Sequence, residues 1–180
     1  MKKRFYRKGY FFILDAMIAL TVVGLGAVLL FSSYANAPIE GQASLYSDDV
    51  MGFFANTKII EVNNEYAGYQ GTLWQQGKID NYGNTLLQQT AIFYAKGNLA
   101  TAESFIGNLT YNIIPEQYLF EMWIDNTLLY PLNPTSSHIA SKNKTKVILP
   151  SHKLVHGFID QEKGQTFGPF MAEVLVWQNQ

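Results

Sequence analysis

Asp15 is the residue whose setting most suggests chemistry, because its carboxylate stands within a run of apolar side chains. Residues 10–32, YFFILDAMIALTVVGLGAVLLFS, hold one charged residue among 23 positions. A charged aspartate at the centre of a membrane helix costs about 2.5–3.5 kcal/mol on insertion scales, and less near an interface. An acid at this position indicates either a group that pairs with a positive charge or a carboxylate that reaches toward lipid headgroups.

The segment that carries Asp15 is long enough to cross a membrane. At about 1.5 Å per residue, a helix over residues 10–32 would span roughly 34 Å. Residues 10–180 carry eight basic residues against fourteen acidic ones, a formal charge of −6. The remaining basic residues all precede the apolar run: Lys2, Lys3, Arg4, Arg7 and Lys8. Because basic flanks stay on the cytoplasmic side, the pattern predicts a single-pass membrane protein with an extracellular C-terminal domain.

Three export routes fit an apolar N-terminal segment. A secretory signal peptide would use Ala35-Asn36-Ala37 as its cleavage site, but the apolar run is long for one and contains an acid. A plain single-span anchor explains the length and gives the Lys8-Gly9 junction and Asp15 no role. A buried core helix is disfavoured, since such helices are usually shorter and lack a basic flank.

The third route rests on the junction itself. Lys8-Gly9 followed by Tyr10-Phe11-Phe12-Ile13-Leu14-Asp15 resembles the prepilin (class III) signal peptide of bacterial and archaeal type IV pilins and pseudopilins. The Lys-Gly junction followed by aromatic residues is more similar to archaeal secreted pilin-like proteins than to bacterial major pilins. The resemblance implies a prepilin peptidase that cuts between Gly9 and Tyr10 on the cytoplasmic side. It also implies that the apolar helix is retained as a membrane anchor and filament core.

This resemblance implies a division of the chain into three parts. Residues 1–9 would be a cleaved basic leader, residues 10–37 a transmembrane and filament-core helix, and residues 38–180 an extracytoplasmic domain. The expected partners are the peptidase, other pilin-like subunits and membrane lipid.

The position of the acid departs from the family pattern. The family's usual acid is a glutamate at the fifth residue of the mature chain, where this sequence has Leu14, and Asp15 is the sixth. One residue turns a helix by about 100°. The corresponding hypothesis is that Asp15 pairs with the free amine of Tyr10 on an adjacent subunit.

The sequence of residues 38–180 predicts helices followed by strands. Ser47 before Asp48-Asp49 has the character of a helix start, and residues 62–83 read as loop-rich. Thr85 with Gln88 forms a capping-box pattern, Gly97-Asn98 ends that helix, and a second apolar stripe follows. Its members lie three and four residues apart: Leu99, Ala102, Ile106, Leu109 and Ile113. These two helices predict a hairpin.

After Pro115 the spacing of apolar residues changes from the three and four residues of a helix to the alternation of a strand. Asp125-Asn126 predicts a tight turn between two of them, and two further strands are predicted in residues 145–160 and 169–178. Residues 142–146, which include Lys142, Lys144 and Lys146, read as an exposed loop. The fold class is therefore α+β: a long N-terminal membrane-spanning helix, a helical hairpin and a small antiparallel β-sheet head.

No enzymatic, metal or nucleic-acid site is indicated. The sequence has no cysteine, glycine-rich phosphate loop, nucleophile elbow or HExxH pattern. His152 and His156 could share a strand face but lack a third ligand, and Glu121 and Glu173 read as outward-facing strand residues rather than as a carboxylate pair. The lysines of 142–146 are too few and too poorly matched with aromatic residues for nucleic acid. We therefore expect no enzyme, cofactor or metal.

Two sequons could accept N-linked glycans, Asn108-Leu109-Thr110 and Asn143-Lys144-Thr145. Asn143 is the better acceptor if residues 142–146 form a loop, whereas Asn108 lies in a predicted helix.

These patterns predict a pilin-like cell-surface structural subunit, or a minor or assembly component of a type IV pilus-like filament or secretion system. The alternative is a membrane-anchored extracytoplasmic binding domain that does not polymerise.

Overall fold

The computed structural model describes residues 6–35, 40–111, 113–145 and 148–179, with side chains for 11–31 and, in the later ranges, from 45 onward. The chain divides into two compact units, Met1–Ile39 and Glu40–Gln180. Pro38, where the predicted extracytoplasmic domain begins, and Lys146 lie outside the described residues. The α+β class predicted from the sequence is confirmed in the described residues, with a long apolar N-terminal helix, further helices and a four-stranded antiparallel sheet.

The first unit contains α1, one uninterrupted helix over Tyr6–Ala35. Its stretch Phe11–Phe31 has a mean hydropathy of 2.4 over 21 residues, which is long and apolar enough to cross a membrane by length and composition. None of that stretch is buried within the chain, and large side chains such as Phe12, Leu20 and Phe31 are at least three-quarters exposed. A helix that is apolar all round needs lipid or other helices to cover it.

The second unit begins with α2, Glu40–Asn56, which supplies Val50, Met51 and Phe54 to the core. The predicted helix start at Ser47 is wrong, because α2 already begins at Glu40. Ser47 lies inside the helix, where its buried hydroxyl accepts a hydrogen bond from the backbone N–H of Val176 at 3.1 Å. A residue with capping chemistry thus makes a tertiary contact to the last strand instead.

Residues 57–85 are loop-rich, as expected. They contain a 3₁₀ turn at Ile59–Glu61 and the single-turn helix α3 at Thr72–Gln75. Buried Ile59, Leu73 and Ile79 tie this segment to the core. Although it has little regular structure, this segment is fixed in place by buried apolar side chains of its own.

The predicted helical hairpin is present as α4, Leu86–Ala95, and α5, Leu99–Thr110. The capping box is confirmed: Thr85 Oγ1 accepts from the Gln88 N–H at 3.2 Å, and Gln88 Oε1 accepts from the Thr85 N–H at 3.0 Å. Gly97 ends α4 with φ of +71°, a conformation that glycine adopts without strain. Ile113 lies beyond the end of α5 and is largely exposed, so the predicted stripe stops one turn earlier.

Four antiparallel strands form the sheet in the order β2-β1-β4-β3: β1 Tyr118–Ile124, β2 Thr127–Tyr130, β3 Ser151–Asp160 and β4 Gln165–Gln178. Asp125 and Asn126 have φ of 44° and 64° and form the predicted turn between β1 and β2. The buried side chains of β1 and β4 that face α2, α4 and α5 alternate along each strand: Phe120, Met122, Ile124, Ala172, Val174 and Val176.

Part of the other face of the sheet, around Glu121 and Trp177, is covered by α6, Ser136–Lys144, where the sequence predicted an exposed loop at residues 142–146. Thr135 is the N-cap, and its hydroxyl accepts from the His138 N–H at 3.2 Å. The signal that could have found α6 was Pro134-Thr135 ahead of Ser136. Its nine residues carry few apolar side chains, so no amphipathic period reveals it.

We expect residues 38–180, produced without the apolar helix, to be a soluble, folded monomer. This unit contains its own core, built on α2, α4, α5 and one face of the sheet. Circular dichroism should show both α and β signal, and light scattering should show a monomer. Aggregation in mild buffer, or a spectrum without β signal, would contradict this expectation.

Candidate functional site

The first candidate site is the beginning of α1. Lys8, Gly9 and Tyr10 all lie within α1, which begins at Tyr6, so the backbone is helical across the Lys-Gly junction. Asp15 is exposed on the same helix. A shallow depression around its carboxylate is lined by Phe11, Phe12, Leu14 and Ile18.

Asp15 shares one helix face with residues three and four positions away, Phe11, Phe12 and Ile18 among them. Among the residues whose side chains the structure describes, which exclude Arg7 and Lys8, none forms an ion pair with Asp15. The helical rise places it about 8 Å along the axis from Tyr10. The arrangement thus presents a single acid, framed by apolar side chains, close to the predicted new N-terminus.

The second arrangement is a buried carboxylate in the second unit. Glu121 on β1 is only 3% exposed, and three side chains bond to its oxygens. His138 Nε2 lies 3.2 Å from Oε1, Trp123 Nε1 donates to Oε2 at 2.9 Å, and the Lys142 ammonium also donates to Oε2. Because a buried carboxylate requires hydrogen bonds and a countercharge, these partners account for its position.

Sheet register explains how these groups meet. β1 pairs with β4 so that Leu119 faces Trp177 and Trp123 faces Glu173, which places Glu121 and Trp177 on the face that α6 covers. Lys142 Nζ lies 5.4 Å and 5.6 Å from the ring centroids of Trp123 and Trp177. The ammonium therefore contacts a carboxylate and two aromatic faces at once.

The outward-facing assignment of Glu121 is wrong. Glu121 lies on the face opposite Met122, but α6 and not water covers its side chain there. Glu173 is partly exposed and lies diagonally across the β1–β4 ladder from Glu121. Since His138 and Lys142 lie on α6 and Trp123 on β1, the bonds to Glu121 join α6 to the sheet.

The histidines singled out in the sequence are separated from this cluster. His152 faces Glu173 in the β3–β4 register, and the backbone carbonyl of His156 accepts from Gln88 Nε2 at 3.4 Å. Within the described ranges, no group of three or more histidine, cysteine, aspartate or glutamate side chains could hold a metal ion.

Both sequons lie on helices. Asn108 is exposed on α5, and its amide donates to the Ser104 carbonyl at 2.8 Å, while Thr110 of the same sequon is buried. Asn143 is also exposed, but it lies on α6 and not in a loop, which corrects the sequence-based placement. Thr145 caps α6 and bonds its hydroxyl to the Ser141 carbonyl at 3.1 Å. The preference for Asn143 rested on an exposed loop, whereas both asparagines are exposed on helices.

Comparison of the chain with known protein families, with curated proteins and with solved structures found no match.

We expect Lys142→Ala to lower the free energy of unfolding of the 38–180 fragment by roughly 2 kcal/mol, because it leaves the buried Glu121 carboxylate without its cation. This figure is below the cost of breaking a fully buried pair, since the Lys142 side chain is 31% exposed. Lys144→Ala is the matched control on the exposed side of α6 and should change stability by less than about 0.5 kcal/mol. Equal effects of the two substitutions in urea unfolding would show that the cluster does not stabilise α6.

Proposed function

We propose that this protein is a pilin-like, membrane-anchored subunit of a surface filament or secretion assembly, processed between Gly9 and Tyr10. One observation carries the proposal. An uninterrupted apolar helix, exposed on all sides, bears a single carboxylate in the second turn after a Lys-Gly junction.

The exposed surface of α1 supports assembly as well as anchoring. A helix covered with leucine, valine and phenylalanine is stable in lipid, and the same side chains can pack against copies of the helix. If the contact is head-to-tail, repeating it builds a filament, because one surface of a subunit meets a different surface of the next. The second unit has its own core and would be displayed outside the membrane.

Asp15 would then direct the packing. Cleavage after Gly9 creates a positive α-amino group at Tyr10, and the Asp15 carboxylate of an adjacent subunit can pair with it. In a low-dielectric setting this attraction offsets the desolvation cost of both charges, provided that both remain hydrogen-bonded. The pairing would also set the axial stagger between neighbouring helices.

The first expected outcome concerns processing. Protein purified from its own membrane should begin at Tyr10, and Gly9→Leu should still insert but keep its leader, because a bulky side chain blocks the cleavage site. Intact-mass and N-terminal peptide measurements read both results. Gly24→Leu, in the same helix but away from the junction, is the matched control and should be cut normally.

Two results would contradict processing at Gly9. A protein that begins at Pro38 would be a secreted protein with an ordinary signal peptide. An uncut Met1 would favour a simple anchor.

The second expected outcome concerns assembly. Asp15→Asn and Asp15→Ala should insert and be cut like the wild type, yet lose crosslinking to partner subunits by about tenfold or more, because the amine of Tyr10 lacks its counter-ion. Asp15→Glu retains the charge and should recover part of the crosslinking. In-membrane crosslinking followed by mass analysis measures all three variants.

A paired variant tests the position of the acid. Leu14→Glu with Asp15→Leu moves the carboxylate by one residue and rotates it by about 100° around the helix. If Asp15 acts in its own register, this variant should crosslink poorly or at a different stagger. Wild-type crosslinking by both Asp15→Asn and Asp15→Ala would make Asp15 an interfacial residue and favour the alternative, an anchored head that does not polymerise.

A further inference from the structure

A polar cleft of about 680 Å³ opens on the second unit, well away from the Glu121 cluster. One wall is the first turns of α4 with the loop before it, and the other is the end of β3 with the β3–β4 turn. Six of its lining side chains are primary amides: Asn81, Asn84, Gln88, Gln89, Gln161 and Gln165. Gln88 uses both of its amide atoms in bonds to Thr85 and His156, and Asn81, Asn84 and Gln89 each use one within the protein. The remaining amide donors and acceptors are neutral groups that can bond hydroxyls.

The charged side chains around this amide cleft are largely paired. Asp80 Oδ2 lies 3.6 Å from Lys96 Nζ, and Asp160 Oδ2 accepts from Lys163 Nζ at 2.8 Å. The hydrogen bond from the Lys163 side chain, followed by that from its backbone, holds the pKa of Asp160 below its ordinary value. Both lysines of the lining, Lys96 and Lys163, are paired with aspartates, whereas Glu162 forms no ion pair with a described residue. A strongly anionic ligand would therefore meet no free cation in the lining.

Gln89 provides the sharpest sign of a missing ligand. The residue is 99% buried, and its Oε1 accepts from Asn84 Nδ2 at 3.4 Å. Its Nε2 donates to no residue that the structure describes. Gln89 is one of the residues that line the cleft, so its amide borders the cleft. Buried donors are almost always satisfied, so an acceptor from a ligand or from water belongs there.

An aromatic surface lies beside the amides. Phe158 lines the cleft with half of its side chain exposed, while Ile92 and Phe167 are buried beneath. Gly157 allows this packing, since a Cβ there would come within 2.9 Å of Phe167 Cε1. The cleft thus combines a half-exposed aromatic ring with amide side chains.

We propose that this cleft binds a neutral saccharide. Sugar rings present apolar C–H faces that pack on an aromatic ring, and adjacent hydroxyls that bond the paired donor and acceptor of an amide. The volume falls within the range of small-ligand sites. Gln89 would donate to a sugar hydroxyl, and Phe158 would contact the ring face. This proposal is independent of leader cleavage and of filament assembly.

The test uses the full-length protein in detergent micelles and saturation-transfer NMR. The probes are glucose, galactose, mannose and N-acetylglucosamine, each as the monosaccharide and as a linear oligosaccharide, with glucuronic acid as the charged comparison. At least one neutral sugar should bind saturably and more tightly than glucuronic acid. Preference for the oligosaccharide over its monosaccharide would indicate a polymer as the natural source of the sugar, and the reverse would indicate a free sugar.

Two variants locate the binding. Gln89→Met retains the side-chain volume but removes the amide, and Phe158→Ala removes the exposed ring; each should weaken binding by about tenfold. Gln117→Ala and Tyr111→Ala, at exposed positions outside the cleft, are the matched controls and should bind like the wild type. All four should be cleaved and assembled normally, which separates this proposal from the function of α1.

Three results would overturn the proposal. They are the absence of saturable binding by any neutral sugar, tighter binding of glucuronic acid than of the neutral sugars, and wild-type binding by Phe158→Ala. Circular dichroism of each variant verifies its fold, and Phe158→Ala keeps the test decisive if Gln89→Met fails to fold, because Phe158 is half exposed.

Discussion

The pairing of β1 with β4 is the contact on which the second unit depends. Tyr118–Ile124 and Ala172–Gln178 run antiparallel in the middle of the sheet, and each has a strand on its other side. Because side chains alternate between faces, these two strands supply the hydrophobic core on one side and the seat for α6 on the other. Ser47 adds a further tie, since its hydroxyl bonds to β4 from within α2.

The α6 face has a different energetic character from the core face. On the core side, apolar burial supplies the stability, with side chains such as Phe54, Phe93 and Met122 fully enclosed. On the α6 side, a carboxylate, an ammonium, an imidazole and two indoles lie together around Glu121. Burying charge gains little net stability compared with apolar packing, but it penalises any arrangement in which the partners do not meet. The Glu121 cluster therefore contributes mainly to specifying where α6 lies.

The two units of the chain differ in whether their apolar residues are buried or exposed. The second unit buries its apolar residues in its own core, whereas α1 exposes a continuous apolar surface that the chain itself does not cover. By length and composition, this surface belongs to a helix that could cross a membrane. A single carboxylate on that surface is costly in lipid and inexpensive beside a positive charge. Because the cost of the carboxylate differs so much between these two settings, Asp15 is the residue of α1 that best distinguishes them.

The sequence alone determined the features that depend on local chemistry. The apolar run predicts α1, the Thr85–Gln88 pair and Gly97 predict both ends of α4, and Asp125-Asn126 predicts the β-turn. In each case neighbouring residues decide the backbone conformation, through hydrophobic periodicity, capping or tolerance of positive φ. The same locality explains the error at Ser47, since capping preference marks where a helix can begin and not where it must.

Only the tertiary structure decided what covers the second face of the sheet. Alternation along β1 places Glu121 opposite the core, but whether that side meets water depends on α6, whose polar sequence gives no amphipathic signal. The amide cleft is likewise formed by α4 and the β3–β4 turn, about seventy residues apart in the chain. Burial of Glu121 and of Gln89 is a property of elements that meet in space, and no pattern of neighbouring residues encodes it.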